Sequence, residues 1–171
     1  MNKILSVLGL LFCLTWLQTT HAQVKFGHIN SADLLVQMNE MKAADKELET
    51  FSKQIDAQYQ AKVSNFQTKY QTFAEAAQRG ELSPAAQSQK EKELQDLQTE
   101  IQNFEAEAQQ NISKKRDELI TPILEKAQKA IKDVADENGI AYIFDLSTGT
   151  ILAYPASDDV SALVKAKLGI Q

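Results

Sequence analysis

The chain has 171 residues, 43% hydrophobic and 24% charged, with only 7% aromatic, so neither a disordered chain nor an integral membrane protein fits. Its formal charge is −5 with two histidines, a balance that gives no footing for nucleic-acid binding. Six glycines and three prolines are too few for an all-β fold, which needs a turn every few residues, and they point to long uninterrupted helices.

The first 22 residues read as a signal peptide. Lys3 is followed by the almost wholly apolar Ile4–Leu17, and Thr20-His21-Ala22 places a small residue before a cut at Ala22/Gln23. The apolar run is shorter than the roughly 20 residues a membrane-spanning helix needs. Its removal takes away the only cysteine, the only tryptophan and one histidine, and moves the charge from −5 to −6, because Lys3 is its only charged residue. The exported chain is thus expected to carry no thiol and no disulfide.

Val24–Ile29 reads as a strand, and Asn30-Ser31 as a helix start ahead of Leu34 and Leu35. No Gly or Pro lies between Gly27 and Gly80, nor between Pro84 and Pro122, and both stretches are rich in Ala, Gln, Glu and Lys. Two long helices follow. Gly80 is placed to stop the first, and Ser83 with Pro84 to cap and begin the second, so the two form an antiparallel hairpin.

The apolar spacing supports a coiled-coil seam. Met41, Ala44, Leu48, Phe51 and Ile55 step by threes and fours, Tyr59 and Val63 follow at two successive fours, and Phe66, Tyr70, Phe73 and Ala77 resume the alternation. Leu94, Leu97, Ile101, Phe104 and Ala108 answer from the second helix, with Ile112 at another four. The extra fours are stutters, which unwind the supercoil and are expected to loosen packing there. At about 1.5 Å per residue each helix is far longer than a compact body accommodates, so the hairpin must project, with a labile distal half.

Pro122 marks the return to the base, where Ile123, Leu124, Ala127, Ile131 and Val134 continue the helix and Asn138-Gly139 closes it. Ile140–Leu146 and Thr150–Tyr154, joined by a turn at Gly149, are expected to make a β-hairpin, and Asp158 and Asp159 to open a last helix. The expected fold is α+β: a helical-hairpin arm (40–121) projecting from a small β-containing body (23–39 and 122–171). That body is small, and with no disulfide its stability is expected to come from oligomerisation through Phe26, Ile29, Tyr142, Ile143, Phe144, Ile151 and Leu152. Gly80, Ser83, Pro84, Pro122, Gly139 and Gly149 are the turn and hinge candidates.

No catalytic constellation stands out. His28 is the only histidine of the exported chain and reads as structural, no Cys/His spacing suits zinc, and no glycine-rich loop suits a phosphate, so neither enzyme activity nor a cofactor is expected. The rings of Phe51, Tyr59, Phe66, Tyr70, Phe73 and Phe104 admit two readings. They fill the seam, or some of them face a cavity and touch a client chain.

These pieces resemble the Skp/OmpH family of periplasmic chaperones. The resemblance rests on Val24-Lys25-Phe26-Gly27-His28-Ile29-Asn30-Ser31, on Glu118-Leu119-Ile120-Thr121-Pro122-Ile123, on Val134 to Asp145, on Ile151-Leu152-Ala153-Tyr154, and on Asp158 to Leu168. It implies a homotrimer whose arms enclose a cavity and hold unfolded outer-membrane β-barrel proteins without ATP. Known members have cationic arm tips. Here Arg79, Lys90 and Lys92 face Glu75, Glu81 and Glu91, so the tip is neutral and contact with lipopolysaccharide or anionic membrane is not carried over. The competing class is an exported structural or adaptor coiled coil that binds one folded partner through the arm.

Overall fold

The computed structural model describes residues 24–170; the expected signal segment and its expected cut at Ala22/Gln23 lie outside the described residues. Strand β1 (Lys25–Ile29) leads through helix α1 (Ser31–Gln37) into helix α2 (Asn39–Gln78). Helix α3 (Pro84–Asn138) returns to strand β2 (Ile140–Asp145), and a 3-10 turn at Ala156–Asp158 precedes helix α4 (Ser161–Leu168).

Local chemistry explains most boundaries. The Asn30 side chain accepts from the Asp33 N–H to cap α1, and the Ser83 hydroxyl accepts from the Ala86 N–H to cap α3, with Pro84 in the first helical position. Gly80 and Gly139 both have left-handed φ, 69° and 64°, where the chain must leave α2 and α3. The Gly139 N–H donates to the Ala135 carbonyl as the helix closes.

One boundary has no local signal. The expected single first helix is broken at Met38, whose ψ of 130° separates α1 from α2. Met38 is among the most deeply buried side chains, so core packing overrides the helix propensity of its neighbours here. Conversely, Pro122 makes no turn: α3 runs through it unbroken for 55 residues. Its ring nitrogen cannot donate to the Glu118 carbonyl, but one missing bond in so long a helix does not stop it.

Strands β1 and β2 pair in parallel, with Phe26 beside Tyr142, Gly27 beside Ile143 and His28 beside Phe144. Parallel strands need a crossover. Here the crossover is the entire helical hairpin, and the reversal at Gly139 sets β2 running with β1. The core lies under this pair, where Ile29, Leu34, Met38, Ile123, Ala127, Val134, Val160 and Val164 pack together.

The expected β-hairpin does not form. Residues 150–155 have no strand assignment; β1 is instead flanked on its second edge by Asp159 and Val160, and the Val160 N–H donates to the His28 carbonyl at 3.0 Å. The chain is drawn across rather than alongside β2 because His28 holds it. Nε2 donates to the Pro155 carbonyl at 2.9 Å, and the Tyr154 ring lies 4.5 Å from the imidazole. Helix α4 also starts later than expected. Asp158 belongs to the 3-10 turn, while the Asp159 carboxylate accepts from the Ser161 N–H at 2.8 Å.

Helices α2 and α3 are about 60 Å and 82 Å long. Most of that length stands clear of the core cluster, which draws on α2 only as far as Ala44 and on α3 only from Leu119 onward.

Candidate functional site

The arm is built on a fixed antiparallel register. Lys115 meets Glu47 at 2.6 Å, and Lys62–Glu100 and Lys69–Glu93 pair further out. The step from Glu47 to Lys69 along α2 equals that from Lys115 to Glu93 along α3. One helix therefore does not slip past the other, although each contains a stutter, because the stutters lie opposite one another and cancel.

Packing at the stutters is the reverse of that expected. Ile55 and Ala108, at those two places, are 8% and 9% exposed and are the best covered side chains of the arm beyond Ala44. A small alanine across from the isoleucine lets the backbones approach. Beyond this pinch no arm side chain is better than half-buried.

Of the six candidate rings, Phe51, Tyr59, Phe66, Phe73 and Phe104 are half-buried along the seam, and Tyr70 is 56% exposed. Phe66 and Tyr70 stack at 6.2 Å, and the Lys62 ammonium lies 5.3 Å from the centre of the Phe104 ring. Tyr70 and Ala77 do not occupy the seam positions that the spacing gives them. After the stutter Lys69 and Tyr70 are both exposed, and Ala76 is half-buried where Ala77 is exposed.

The cross-helix ion pairs perturb their members in the expected directions. The Lys69 ammonium holds the Glu93 carboxyl below its ordinary range, and hydrogen bonding to Glu47 raises Lys115. Glu105 beside Tyr59 raises its phenol. All of these groups are open to water, so the pairs set register more than they add stability.

At the base, the rings of Phe26, Tyr142 and Phe144 gather on one exposed face, with Phe26 6.0 Å from Tyr142 and 6.1 Å from Phe144. Ile29 is buried in the core instead, Ile143 packs against it half-buried, and Ile151 is half-buried while Leu152 projects at 93% exposure. The candidate list therefore divides: Phe26, Tyr142, Phe144 and Leu152 are available to a partner, and Ile29 and Ile143 serve the protomer. Sequence reasoning missed Val24, Val36, Leu124 and Leu163, which are also exposed.

His28 is 5% exposed and packed as described, with no hydrogen bond to Nδ1. Asp145 is the most perturbed acid. Desolvation pushes its carboxyl up, but the Ser31 hydroxyl and N–H and the Ser147 N–H and hydroxyl all donate to it and hold it at about 2. It fastens the end of β2 to the start of α1. Among the described residues no three His, Cys, Asp or Glu side chains gather as a metal site, and no helix is long and apolar enough to cross a membrane.

The family model for outer membrane protein (OmpH-like) matches residues 25–168. The chain belongs to the OmpH-like family. No curated protein sequence matches it. Among solved structures, it is similar to the crystal structure of a candidate outer membrane chaperone (OmpH-like) from Caulobacter crescentus CB15. The identity is 19% and the TM-score 0.72, over 90% of this chain and 89% of that one. At that identity the likeness is one of fold: the same long-armed OmpH-like architecture carried on a largely different sequence.

Proposed function

We propose that this OmpH-like protein is a periplasmic holding chaperone that keeps unfolded outer-membrane β-barrel proteins from aggregating before insertion, without nucleotide and without catalysis. The observation that carries this reading is the arm beyond the Ile55–Ala108 pinch, a long stand-off hairpin whose aromatic seam is left only half-covered. Half-covered rings spread over tens of ångströms suit many weak, reversible contacts, which together hold a chain that no single site binds tightly.

The exposed face of Phe26, Tyr142 and Phe144 supports assembly of the bodies (23–39 and 122–171) into a homotrimer, with the arms (40–121) enclosing the client. A body this small gains from covering such a face. Gly80 and Gly149 serve as turns, and Pro122, at the foot of the arm, as the place where α3 bends most easily. The neutral tip gives no grip on anionic lipid.

The test combines mass in solution with aggregation assays. The reading expects a mass three times that of the protomer, a hollow elongated scattering profile, and near-stoichiometric protection of several unrelated barrel proteins diluted from urea. A compact monomer, or protection of no barrel together with one saturable folded partner, would overturn it in favour of an adaptor.

A further inference from the structure

The two flanks of the arm are chemically different. The cross-helix pairs Glu40–Lys126, Glu47–Lys115, Lys62–Glu100 and Lys69–Glu93 all lie on one of them. This follows from spacing. Tyr59, Phe66 and Phe73 mark the middle of the distal seam, and Lys62 and Val63, like Lys69 and Tyr70, are successive residues about 100° apart that straddle it. Glu93 and Leu94, and Glu100 and Ile101, straddle the seam of α3 in the same way. In an antiparallel pair the residues on the same side of each seam meet, so the paired charges close one flank. Val63, Tyr70, Leu94 and Ile101 fall on the other.

That second flank has no cross-helix ion pair among the described residues. Val63, Leu94 and Ile101 are half-buried on it, and Tyr70, stacked on Phe66, is more than half exposed. Its outer border is Gln60, Gln67, Ala74, Gln98 and Glu105, without a lysine or arginine. It is an apolar ladder about one side chain wide.

We propose that this ladder is the face that receives the client, an extended apolar segment of an unfolded barrel protein, and that the ion-paired flank is turned away from it. The proposal rests on the holding role above and adds which side of the arm performs it. Width selects the occupant. A folded partner needs about 800 Å² of continuous surface on its side of a stable interface, which a ladder of this width does not offer. A single extended strand, apolar at every second residue, lies along it. Charge agrees, because a border without cations gives no hold on an anionic lipid surface.

A photo-crosslinking residue placed at position 67 or 70, and for comparison at position 72 or 99 on the ion-paired flank, would be irradiated with the full chain holding a urea-diluted barrel protein. Client adducts should be several-fold stronger at 67 and 70. In parallel, the double variant Val63→Glu with Tyr70→Glu should weaken client capture about tenfold, the loss expected when large apolar contacts are replaced by charge. Thr72→Glu with Thr99→Glu should leave capture little changed, with circular dichroism showing both variants equally helical. Equal or stronger adducts at 72 and 99, equal losses from both double variants, or adducts at 70 that join two protomers instead of a client would each overturn the assignment. If the wild-type chain protects no barrel protein, the holding role itself falls, and this assignment with it. Protection with symmetric labelling removes the assignment alone.

Discussion

The Ile55–Ala108 pinch should divide the arm into a firm root and a labile tip, and Ile55→Ala tests this directly. The substitution removes three carbons from a side chain that is 8% exposed. At about 0.8 kcal/mol per buried carbon this is roughly 2 kcal/mol, the low end for an isoleucine truncation, as suits a two-helix seam that can partly collapse. Because the distal seam is only half-buried, the loss should appear as local opening and not as global unfolding. Amide hydrogen exchange resolved by peptide is the assay. Protection of residues between 59 and 104 should fall roughly 30-fold, the factor that 2 kcal/mol implies. Amides of β1 and β2 should exchange as in the wild type. If β1 and β2 lose protection in step with the arm, the chain opens as a single unit and the division at the pinch is wrong.

Three further outcomes are expected. Gly27→Ala would place a Cβ 2.9 Å from Val160 Cγ1, so it should cost about 1–3 kcal/mol in thermal or denaturant unfolding. Adding Val160→Ala should recover about 1 kcal/mol relative to the sum of the single changes, and strict additivity would refute the clash. The Asp145 carboxyl, held at about 2 against an unfolded value near 3.9, stabilises the fold above about pH 4. That contribution, about 1 kcal/mol once its partial exposure to water is discounted, is lost as pH falls through about 2. Asp145→Asn should flatten stability over this window, and an unchanged slope would refute the role. Pro122→Ala returns an N–H to face the Glu118 carbonyl and should stabilise α3 by about 1–3 kcal/mol. Spin labels at position 78 should then report a narrower spread of tip-to-tip distances, whereas an unchanged spread would place the bend elsewhere.

The parts of the fold legible in the sequence are those with a local cause. Ser83 and Pro84 begin α3 through one hydroxyl and one fixed φ, Gly139 ends it through a left-handed φ, and Asn30 caps α1 through its own side chain. The arm was legible for the same reason, since a seam is a spacing. What escaped is set by partners distant in sequence. Met38 breaks a good helical stretch because the core wants its side chain, and residues 150–155 abandon a strand-like pattern because His28, 127 residues away from Pro155, offers a better bond. Spacing alone does not give the phase of the distal seam at Tyr70 and Ala77, which are exposed, because a stutter sets the number of residues but not how far the helix rotates afterwards. The two unlike flanks needed the register between helices, which emerges only when Lys62 and Lys69 are matched with Glu100 and Glu93.

The matched register also limits how such arms diversify. An insertion in α2 alone would throw every charge pair beyond it out of step, so length is gained or lost only when both helices change together, a heptad at a time. Each such paired event moves the tip by about 10 Å. The room an arm encloses should therefore differ between family members in discrete increments, and a protein serving bulkier cargo would be recognised by equal numbers of added residues on the two sides of its tip.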